Sequence, residues 1–356
     1  MSADARRAPE SVLAVRLGAM GDLIHTIPAV AALRNAFPEM RIGWVIEQRW
    51  SELLCAAGTP LSGPRCALRP LVDCVHVVDT KRWRKSPFSF DTRRQMGTIR
   101  RELKDDRYEL AIDFQGAVKS GIVSRFARAT LGMQNPRETP ARWFYDRRIV
   151  TKGTHVVEQY HSLAEAAAEM PLPVVPAEFP HDDVAEETIA RKVDAAGRDL
   201  VLINPGAGWG AKQWPTERYA EVARALATEG VLPLLNFGPG EENLAKTIES
   251  VSGGKAHPVS CSIAELVALT RRTRLFIGGD TGPLHLAAAL RVPVVAIFGP
   301  TDPARNGPYG TKSIVLRNPA SRTSLSHISD PDPGLLKIKP EEVITAARAL
   351  LEGSDG

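Results

Sequence analysis

The stretch LFIGGDTGPLHLAAALRVPVVAIFGP, residues 275–300, runs from an apolar segment through a polar glycine turn into helix-like and apolar segments. This layout predicts strand, turn, helix and strand. Asp280 or Thr281 can cap the helix, and Pro283 suits its first turn. An N-terminus of this kind offers unpaired N–H groups and a positive dipole end, which attract phosphate. A capped helix in any α/β protein explains the same residues, so this stretch alone leaves both interpretations open.

The same pattern recurs along the chain. VLAVRLGAMGDLIHTIPAVAALRNAF (12–37) and RIGWVIE (41–47) form a predicted β-α-β unit, and DLVLINPGAG (199–208) and VLPLLNFGPG (231–240) are strands that end in glycine turns. Strands that alternate with helices predict a doubly wound parallel sheet. MPLPVVPAEFP (170–180) carries four prolines and is typical of an extended linker, so two such sheets are expected.

We therefore predict an α/β protein with two Rossmann-like domains. The N-terminal domain covers 1–172, a Pro-rich linker covers 173–182, and the C-terminal domain covers 183–335. The remaining 336–356 form a helix and tail, and the amphipathic spacing of KPEEVITAARALLE fits a helix docked on the first domain. In open α/β sheets ligands bind beyond the carboxyl ends of the strands, so a ligand cleft is expected between the two domains.

Composition excludes several classes of protein. The chain has 356 residues, 44% of them hydrophobic and 24% charged, as in ordinary globular proteins. No apolar run approaches the ~20 residues of a membrane span, and the polar N-terminus is a poor signal peptide, so a cytoplasmic location is expected. The four cysteines lack C-x-x-C spacing and the eight histidines lack an H-E-x-x-H motif, so we expect free thiols and no metal site.

The charge is unevenly distributed. Residues 81–148 carry a net charge of +9 and the rest of the chain −5. Such a segment indicates nucleic acid, anionic lipid or an acidic substrate as partner, and a solvated basic face explains it equally well. KRWRKSPFSF (81–90) interleaves Trp83 with cations, but no nucleic-acid motif accompanies it, so nucleic acid is the least favoured partner.

Two glycine-rich turns carry candidate chemistry. GAMGD (18–22) places Asp22 near a helix start, where the carboxylate either caps the helix or acts as a general base. NPGAGWGAKQWP (204–215) lets the backbone approach a ligand, and its Lys212 can neutralise a phosphate. Neither turn matches the dinucleotide fingerprint or the Walker lysine loop, which argues against NAD enzymes and P-loop NTPases.

Two further groups are candidates for contact with a nucleotide. FGPGEE (237–242) offers Glu241 and Glu242 after a strand, where a carboxylate either accepts from ribose hydroxyls or stabilises a helix start. His285 lies one turn beyond Thr281, near the same anion site, although a histidine in an apolar helix is commonly structural.

Several motifs together resemble the ADP-heptose:lipopolysaccharide heptosyltransferases of glycosyltransferase family 9. They are RLGAMGDLIHTIPAVAALR, KRWRKSPFS, IDFQGAVKS, FYDRR, AKQWP and DTGPLHLAAAL followed by GPTDP and GPYG, in order along residues 12–310. The pair R-W-R-K and D-x-Q-G-x-x-K-S is most similar to the members that add the first heptose. The resemblance implies a GT-B fold and inverting, metal-independent transfer from ADP-L-glycero-β-D-manno-heptose to the first Kdo of Kdo2-lipid A. It implies no cofactor beyond the donor substrate.

The resemblance also assigns roles to individual residues. The catalytic base falls on Asp22. The donor-binding residues fall on Lys212, Glu242, Asp280, Thr281, Gly282 and His285. The acceptor-binding residues fall on Arg82, Arg84, Lys85, Gln115 and Lys119. Where the family has a Thr-Thr pair near the phosphates this chain has Ala207 and Gly208, and where it has Ser-Ser before Met-Gly-Asp this chain has Gly18 and Ala19.

Alternatives remain at this stage. A second-heptose transferase should share the donor residues and differ within 81–148. A nucleotide-sugar epimerase of the same fold, or a non-catalytic nucleotide-sugar-binding protein, would need no lipid acceptor. Because the acceptor's lipid tail stays in the bilayer, the enzyme is expected to contact the cytoplasmic face of the inner membrane of a Gram-negative-type cell. The basic segment or the aromatics Trp83, Phe88 and Phe90 are candidates for that contact.

Overall fold

The computed structural model describes residues 8–86, 88–193, 197–324 and 329–353. The chain divides into two compact units, Met1–Asp182 and Asp183–Gly356. Each unit contains one six-stranded sheet whose strands are all parallel. The two predicted Rossmann-like domains are therefore confirmed.

The sheet of the first unit has the strand order β3-β2-β1-β4-β5-β6. Its strands are β1 Ser11–Val15, β2 Arg41–Glu47, β3 Cys74–Val78, β4 Leu110–Asp113, β5 Ala129–Met133 and β6 Arg147–Ile149. Its helices are α1 Met20–Ala36, α2 Thr80–Lys85, α3 Phe90–Asp106, α4 Val118–Ser124 and α5 Val156–Ala168, with 3₁₀ helices at Gln48–Leu53 and Thr139–Phe144.

The central strands of this sheet are buried on both faces. Val12 to Val15 of β1 are all buried, which explains why the strand has an almost continuous apolar sequence. Leu13 and Val15 pack with Leu103 of α3 and Tyr108, while α1 packs against α5. β1 and β4 end at Val15 and Asp113, and the loops that follow them hold the first candidate site.

The second unit repeats the same topology. Its strands are β7 Leu200–Asn204, β8 Leu232–Phe237, β9 His257–Ser260, β10 Leu275–Gly279, β11 Val294–Phe298 and β12 Ser313–Arg317, in the order β12-β11-β10-β7-β8-β9. Its helices are α6 Asp183–Lys192, α7 Thr216–Thr228, α8 Glu242–Val251, α9 Ile263–Arg271, α10 Gly282–Ala289, α11 Pro303–Asn306 and α12 Pro340–Glu352, with 3₁₀ helices at Gly210–Lys212 and Leu335–Lys337.

The C-terminal helix α12 belongs to the core of the second unit. Val343, Ala347 and Leu350 are buried among side chains of the central strands and α7. Ahead of α12, the indole N–H of Trp214 donates to the carbonyl of Ile338 at 3.1 Å. The amphipathic face that suggested docking on the first domain is thus used within the second unit. The separate segment 336–356 is a wrong division, because 183–335 alone lacks part of its own core.

The predicted linker is irregular in the structure. Residues 171–182 form no helix or strand, and the division between the units falls at its end, between Asp182 and Asp183. All four cysteines are free thiols; two of them, Cys55 and Cys74, are buried.

Candidate functional site

In each sheet the strand order reverses beside the first strand of the unit. This switch point lies between β1 and β4 in the first unit and between β7 and β10 in the second. Loops that leave neighbouring strands on opposite faces open a crevice there, which is where ligands bind in doubly wound folds. The predicted residues Asp22, Gln115 and Asp280 follow β1, β4 and β10, so the topology places them at these two crevices.

Asp22 is the third residue of α1, and its carboxylate forms an ion pair with Arg16. Arg16 is buried, its guanidinium donates to the carbonyl of Phe114 at 2.7 Å, and it lies 5.5 Å from the ring centre of Tyr160. Burial acts to lower the pKa of Arg16, but Tyr160 and Asp22 outweigh it and raise that pKa. The Asp22 side chain keeps 39% of its surface exposed. A permanently charged group thus fixes the carboxylate while leaving it open to a ligand.

The hydrogen bond by which Asp22 caps the start of α1 is long and therefore weak. The N-cap of α1 is Ala19, whose N–H lies 3.4 Å from the Asp22 carboxylate. The ion pair with Arg16 is the stronger contact, since a charged and buried donor binds a carboxylate more tightly than a distant amide. The arrangement can hold a proton acceptor in place.

Gln115 ties the loop after β4 to the loop after β1. Its side-chain oxygen accepts from the N–H of Leu17 at 2.9 Å. Asp113, at the end of β4, accepts from the N–H groups of Gln115 and Gly116 and from the hydroxyls of Ser120 and Tyr145, at 2.7–3.1 Å. Burial raises the pKa of Asp113 in spite of these bonds. Sequence reasoning missed Asp113, although an acid that ends an apolar strand was a usable signal.

In the second unit, Asp280 joins Lys212 and His285 in a buried cluster. Its Oδ2 lies 2.5 Å from Lys212 Nζ and its Oδ1 lies 2.9 Å from His285 Nε2. Burial acts to raise the pKa of Asp280, but the hydrogen bond and charge of His285, together with Lys212, hold it well below its usual range. The Asp280 carboxylate therefore balances the positive charge of Lys212, whose side chain is nearly buried, in the absence of a ligand.

The predicted capping of α10 by Asp280 or Thr281 is wrong. Thr281 is the N-cap residue, but no side chain caps the helix, and the Thr281 hydroxyl contacts the carbonyl of Gly279 at 3.3 Å. The Asp280 carboxylate turns instead to Lys212 and His285. The N-cap side chain therefore leaves the first-turn N–H groups of Gly282 and Leu284 without a cap, and this suits an anion.

Trp209 is a second residue that sequence reasoning did not single out. Its ring centre lies 4.2 Å from Lys212 Nζ, within the range of a cation–π contact. In the chain Trp209 directly follows Ala207 and Gly208, the residues that the resemblance aligns with the family's Thr pair. An indole in the glycine-rich turn was the available signal.

The two glutamates after β8 have different environments. Glu242, the predicted donor contact, is exposed, and its carboxylate accepts from the N–H of Gly240 at 3.2 Å. Glu241 accepts from the N–H of Gly238 at 2.8 Å, and a Cβ on Gly206 would collide with its carboxylate. The structure thus brings Glu241 beside the loop after β7.

Two asparagines connect the loops of three strands in the second unit. Asn236 donates to the side-chain oxygen of Asn204 at 2.7 Å. Asn204 in turn lies 3.3 Å from the carbonyl of Gly206 and 3.5 Å from the hydroxyl of Thr281. These hydrogen bonds connect the loops around the Lys212 cluster. The sequence analysis did not predict the role of either asparagine.

The predicted acceptor residues do not form one cluster. Arg82, Arg84 and Lys85 are exposed on α2, which follows the edge strand β3, and Lys119 is exposed on α4, which follows the central strand β4. Three strand spacings separate β3 from β4, roughly 14 Å. The cations therefore line one edge of the first unit's sheet as well as its switch point.

Among the described residues, one group has metal-ligating atoms close together: Cys74, His76 and Asp106. It is already internally bonded, because His76 contacts Tyr108 at 3.0 Å and Asp106 at 3.2 Å, and Asp106 pairs with Arg41. Burial raises the pKa of Cys74 to about 12, so its thiol is protonated. The group surrounds the start of β3, away from the switch point at the carboxyl ends.

Comparison with known proteins defines the class and then the family. Two Rossmann-like domains of this topology match E. coli heptosyltransferase WaaC solved with ADP, at a TM-score of 0.77 and 26% identity over 96% of this chain and 99% of that one. The fold class is therefore GT-B. The family model for glycosyltransferase family 9 (heptosyltransferase) matches residues 96–332. The chain belongs to glycosyltransferase family 9.

The relatives that this chain resembles include proteins named heptosyltransferase 1 and proteins named heptosyltransferase 3. Lipopolysaccharide heptosyltransferase 1 of Pseudomonas aeruginosa is 30% identical over 86% of this chain and 83% of its own length. Lipopolysaccharide heptosyltransferase 3 of Escherichia coli K12 is 26% identical over 93% of this chain and 95% of its own length. A further WaaC structure contains ADP-2-deoxy-2-fluoro heptose and matches at a TM-score of 0.72 and 25% identity, over 97% of this chain and all of that one.

Proposed function

We propose that this chain transfers L-glycero-D-manno-heptose from ADP-heptose to the first Kdo of Kdo2-lipid A, with inversion and without a metal ion. The observation that carries the proposal is the buried Lys212–Asp280–His285 cluster beside the uncapped start of α10. A lysine and a helix N-terminus form a site for a diphosphate. Relatives that were solved with ADP and a fluorinated ADP-heptose support a nucleotide-heptose as the donor.

In the proposed reaction Asp22 takes the proton from the acceptor hydroxyl. The hydroxyl oxygen attacks the anomeric carbon from the face opposite ADP, the carbon–oxygen bond to ADP breaks, and ADP leaves with the electron pair. The transition state resembles an oxocarbenium ion, as in other glycosyl transfers to oxygen. Lys212 and the first-turn N–H groups of α10 stabilise the negative charge that grows on ADP. Glu242, Thr281 and Gly282 complete the proposed donor contacts.

The basic side chains of the first unit fit an acidic acceptor. Arg82, Arg84, Lys85 and Lys119 are exposed and bind carboxylates and phosphates by charge and paired hydrogen bonds. Gln115 holds its loop against that of β1 and is the proposed neutral contact. We place the reaction at the cytoplasmic face of the inner membrane of a Gram-negative-type cell.

Release of ADP by the purified protein tests the proposal. We expect release from ADP-heptose to require deacylated Kdo2-lipid A and to continue in EDTA. Release only with an acceptor that already carries heptose would support the second candidate, a second-heptose heptosyltransferase; the relative named heptosyltransferase 3 shows that transferases of other numbers are also similar to this chain. Donor binding without release from either acceptor would point to a nucleotide-sugar-binding protein.

Replacement of the proposed base gives the sharpest test of mechanism. Asp22→Asn keeps the side chain's size and removes its charge, so turnover should fall by about 10²–10⁴. ADP-heptose binding, followed by calorimetry, should change little, because Asp22 belongs to the other unit from Lys212. The exposed acid Asp105 provides the control, since Asp105→Asn should leave both quantities unchanged. Turnover of Asp22→Asn close to wild type would remove Asp22 from its role.

A further inference from the structure

The segment after β2 lies between the two parts of the proposed acceptor surface. α2, which carries proposed acceptor cations, follows β3, and Asp22 follows β1, while β2 lies between these two strands in the sheet. β2 continues directly into the 3₁₀ helix Gln48–Leu53. Because the carboxyl ends of parallel strands share one edge of the sheet, side chains of this helix can contact an acceptor that reaches from α2 to Asp22.

Two hydrogen bonds tie this 3₁₀ helix to both neighbouring segments. Glu47 is its N-cap residue, and the N–H of Glu47 donates to the carbonyl of Leu17 in the loop after β1 at 3.0 Å. The Glu47 carboxylate accepts from the N–H of Thr80, the first residue of α2, at 3.2 Å. The start of the 3₁₀ helix is therefore fixed against the loop that leads to Asp22 and against the start of α2.

The edge of the Trp50 indole packs against the loop that leads to Asp22. A Cβ on Gly18 would lie 3.2 Å from Trp50 Nε1 and 3.4 Å from its Cδ1, so a larger residue would press on the ring. This contact accounts for Gly18 at a position where the resemblance aligns a serine. The indole N–H is buried and has no hydrogen-bond partner in the part of the chain that the structure describes. What Trp50 offers a neighbour is therefore its ring face.

The ring of Trp50 supports an exposed cation. The Arg49 guanidinium lies 4.8 Å from the ring centre of Trp50, and no carboxylate of the described residues forms an ion pair with it. Arg82 of α2 differs, because it already pairs with Asp91 at 3.1 Å. A guanidinium that is stacked on an aromatic face is held in place and loses less freedom when it binds an anion.

We propose that Arg49, held on the face of Trp50, binds a carboxylate of the acceptor sugar and so orients its reacting hydroxyl toward Asp22. The inference rests on the proposed function, in which the acceptor is the acidic sugar Kdo. A guanidinium pairs with a carboxylate through two parallel hydrogen bonds, which fix orientation as well as affinity. A carboxylate is favoured over a phosphate because it belongs to the sugar that reacts, whereas the phosphates of lipid A belong to other sugars. Trp50 acts as a positioning residue for Arg49.

Kinetics with two acceptors test the role of Arg49. With deacylated Kdo2-lipid A, Arg49→Gln should raise the KM for the acceptor roughly tenfold to a hundredfold and leave the KM for ADP-heptose unchanged. An acceptor whose Kdo carboxylates are reduced to alcohols should cost the wild type a similar factor and Arg49→Gln nothing further. Arg128→Gln is the matched control, because Arg128 is also exposed and precedes β5, at the opposite edge of the same sheet.

Substitutions of Trp50 separate the role of its ring from that of its N–H. Trp50→Phe keeps an aromatic face for Arg49 and should leave the acceptor KM almost unchanged. Trp50→Leu removes that face and should raise the acceptor KM roughly twofold to fivefold with little change in kcat. Equal effects of the two substitutions would contradict the stacked arrangement.

Three results would overturn the inference: an unchanged acceptor KM in Arg49→Gln, a further loss by this variant on the reduced acceptor, or a loss that disappears when the acceptor's phosphates are removed. Calorimetry with the deacylated acceptor alone separates the inference from the proposed function. If the wild type binds this acceptor, Arg49→Gln binds it more weakly, and no heptose is transferred, the proposed function fails while the inference stands. If both proteins transfer heptose with the same acceptor KM, the function stands and the inference fails.

Discussion

Lys212, the proposed donor-binding lysine, already has partners for its charge in the structure. Its ammonium is nearly buried, and an unpaired charge in that position would be costly. Asp280 supplies the opposite charge and Trp209 an aromatic face. In the proposed donor site a diphosphate would exchange places with Asp280 as the anionic partner of Lys212, so no free cation would have to be desolvated.

The acidity of Asp280 leads to a prediction about pH. The pKa of Asp280 lies below its ordinary value of 3.8 in the folded protein, so the unfolded chain binds the proton first as the pH falls. Asp280 therefore stabilises the second unit above pH 3.8, and this stabilisation is lost as the pH falls towards the folded pKa. Each unit by which the pKa is lowered corresponds to about 1.4 kcal/mol.

Urea unfolding at pH 7 and at pH 3 measures this contribution. Asp280→Asn should be clearly less stable than wild type at pH 7, and the gap should narrow at pH 3. The control is Asp330→Asn, an exposed acid of the same unit that should follow the wild type at both pH values. A gap of the same size at both pH values would contradict the ion-pair account.

At the scale of single residues, the sequence identified candidate site residues but did not predict which side chains they contact. Asp280 and Lys212 were both recognised as candidates, but their contact joins positions 68 apart and no local rule contains it. Capping preferences assigned Asp280 to the wrong partner for that reason. The choice of Glu242 stays a prediction, and the position of Glu241 beside Gly206 depends on how the loops of β7 and β8 meet.

Among the elements, the loop after β7 has little room for a side chain at Gly206. A methyl group on Gly206 would displace the Glu241 carboxylate and its hydrogen bond to Gly238. Because the obstacle is the end of a flexible side chain, Gly206→Ala should leave thermal stability almost unchanged. Sequence analysis offers Glu241 beside Glu242 as an acceptor for ribose hydroxyls, so the displacement of Glu241 should weaken ADP binding by about tenfold, which is about 1.4 kcal/mol. Calorimetric titration with ADP and a thermal melt measure the two effects.

Gly208 gives the matched comparison for this loop. Nothing lies within 4 Å of a Cβ at that position, so Gly208→Ala should preserve both ADP affinity and melting temperature. Equal losses in the two variants would mean that loop flexibility, and not the position of Glu241, controls donor binding.

Strands with apolar sequences were predictable, and strands at the edges of the sheets were not. β1, β2, β7, β8, β10 and β11 are buried runs that the pattern identified. β6 and β12 are only partly buried, and β9 contains a proline, so their sequences lack a continuous apolar signal. The helix α3 is rich in charge and buries few side chains, which made it look like a basic segment alone.

The whole molecule uses one topology twice, with different chemistry at each switch point. The first unit holds Asp22 and the basic side chains, and the second holds the Lys212 cluster. Donor binding and proton transfer should therefore be separable along the chain. The sequence predicted this division, but it ended the second domain too early, because the register of α12 against the sheet is a tertiary property.

Fragments of the chain test the division directly. Residues 183–356 contain a complete sheet, α12 and every proposed donor contact, so this fragment should fold and bind ADP. Because the fragment lacks Asp22, it should not release ADP from ADP-heptose. The shorter fragment 183–335 lacks Val343, Ile344 and Leu350, whose burial contributes roughly 5–9 kcal/mol, as much as the whole stability of many domains. It should remain unfolded by circular dichroism. A folded 183–335 that binds ADP as well as 183–356 would show that α12 is dispensable and that the boundary suggested by the sequence was correct.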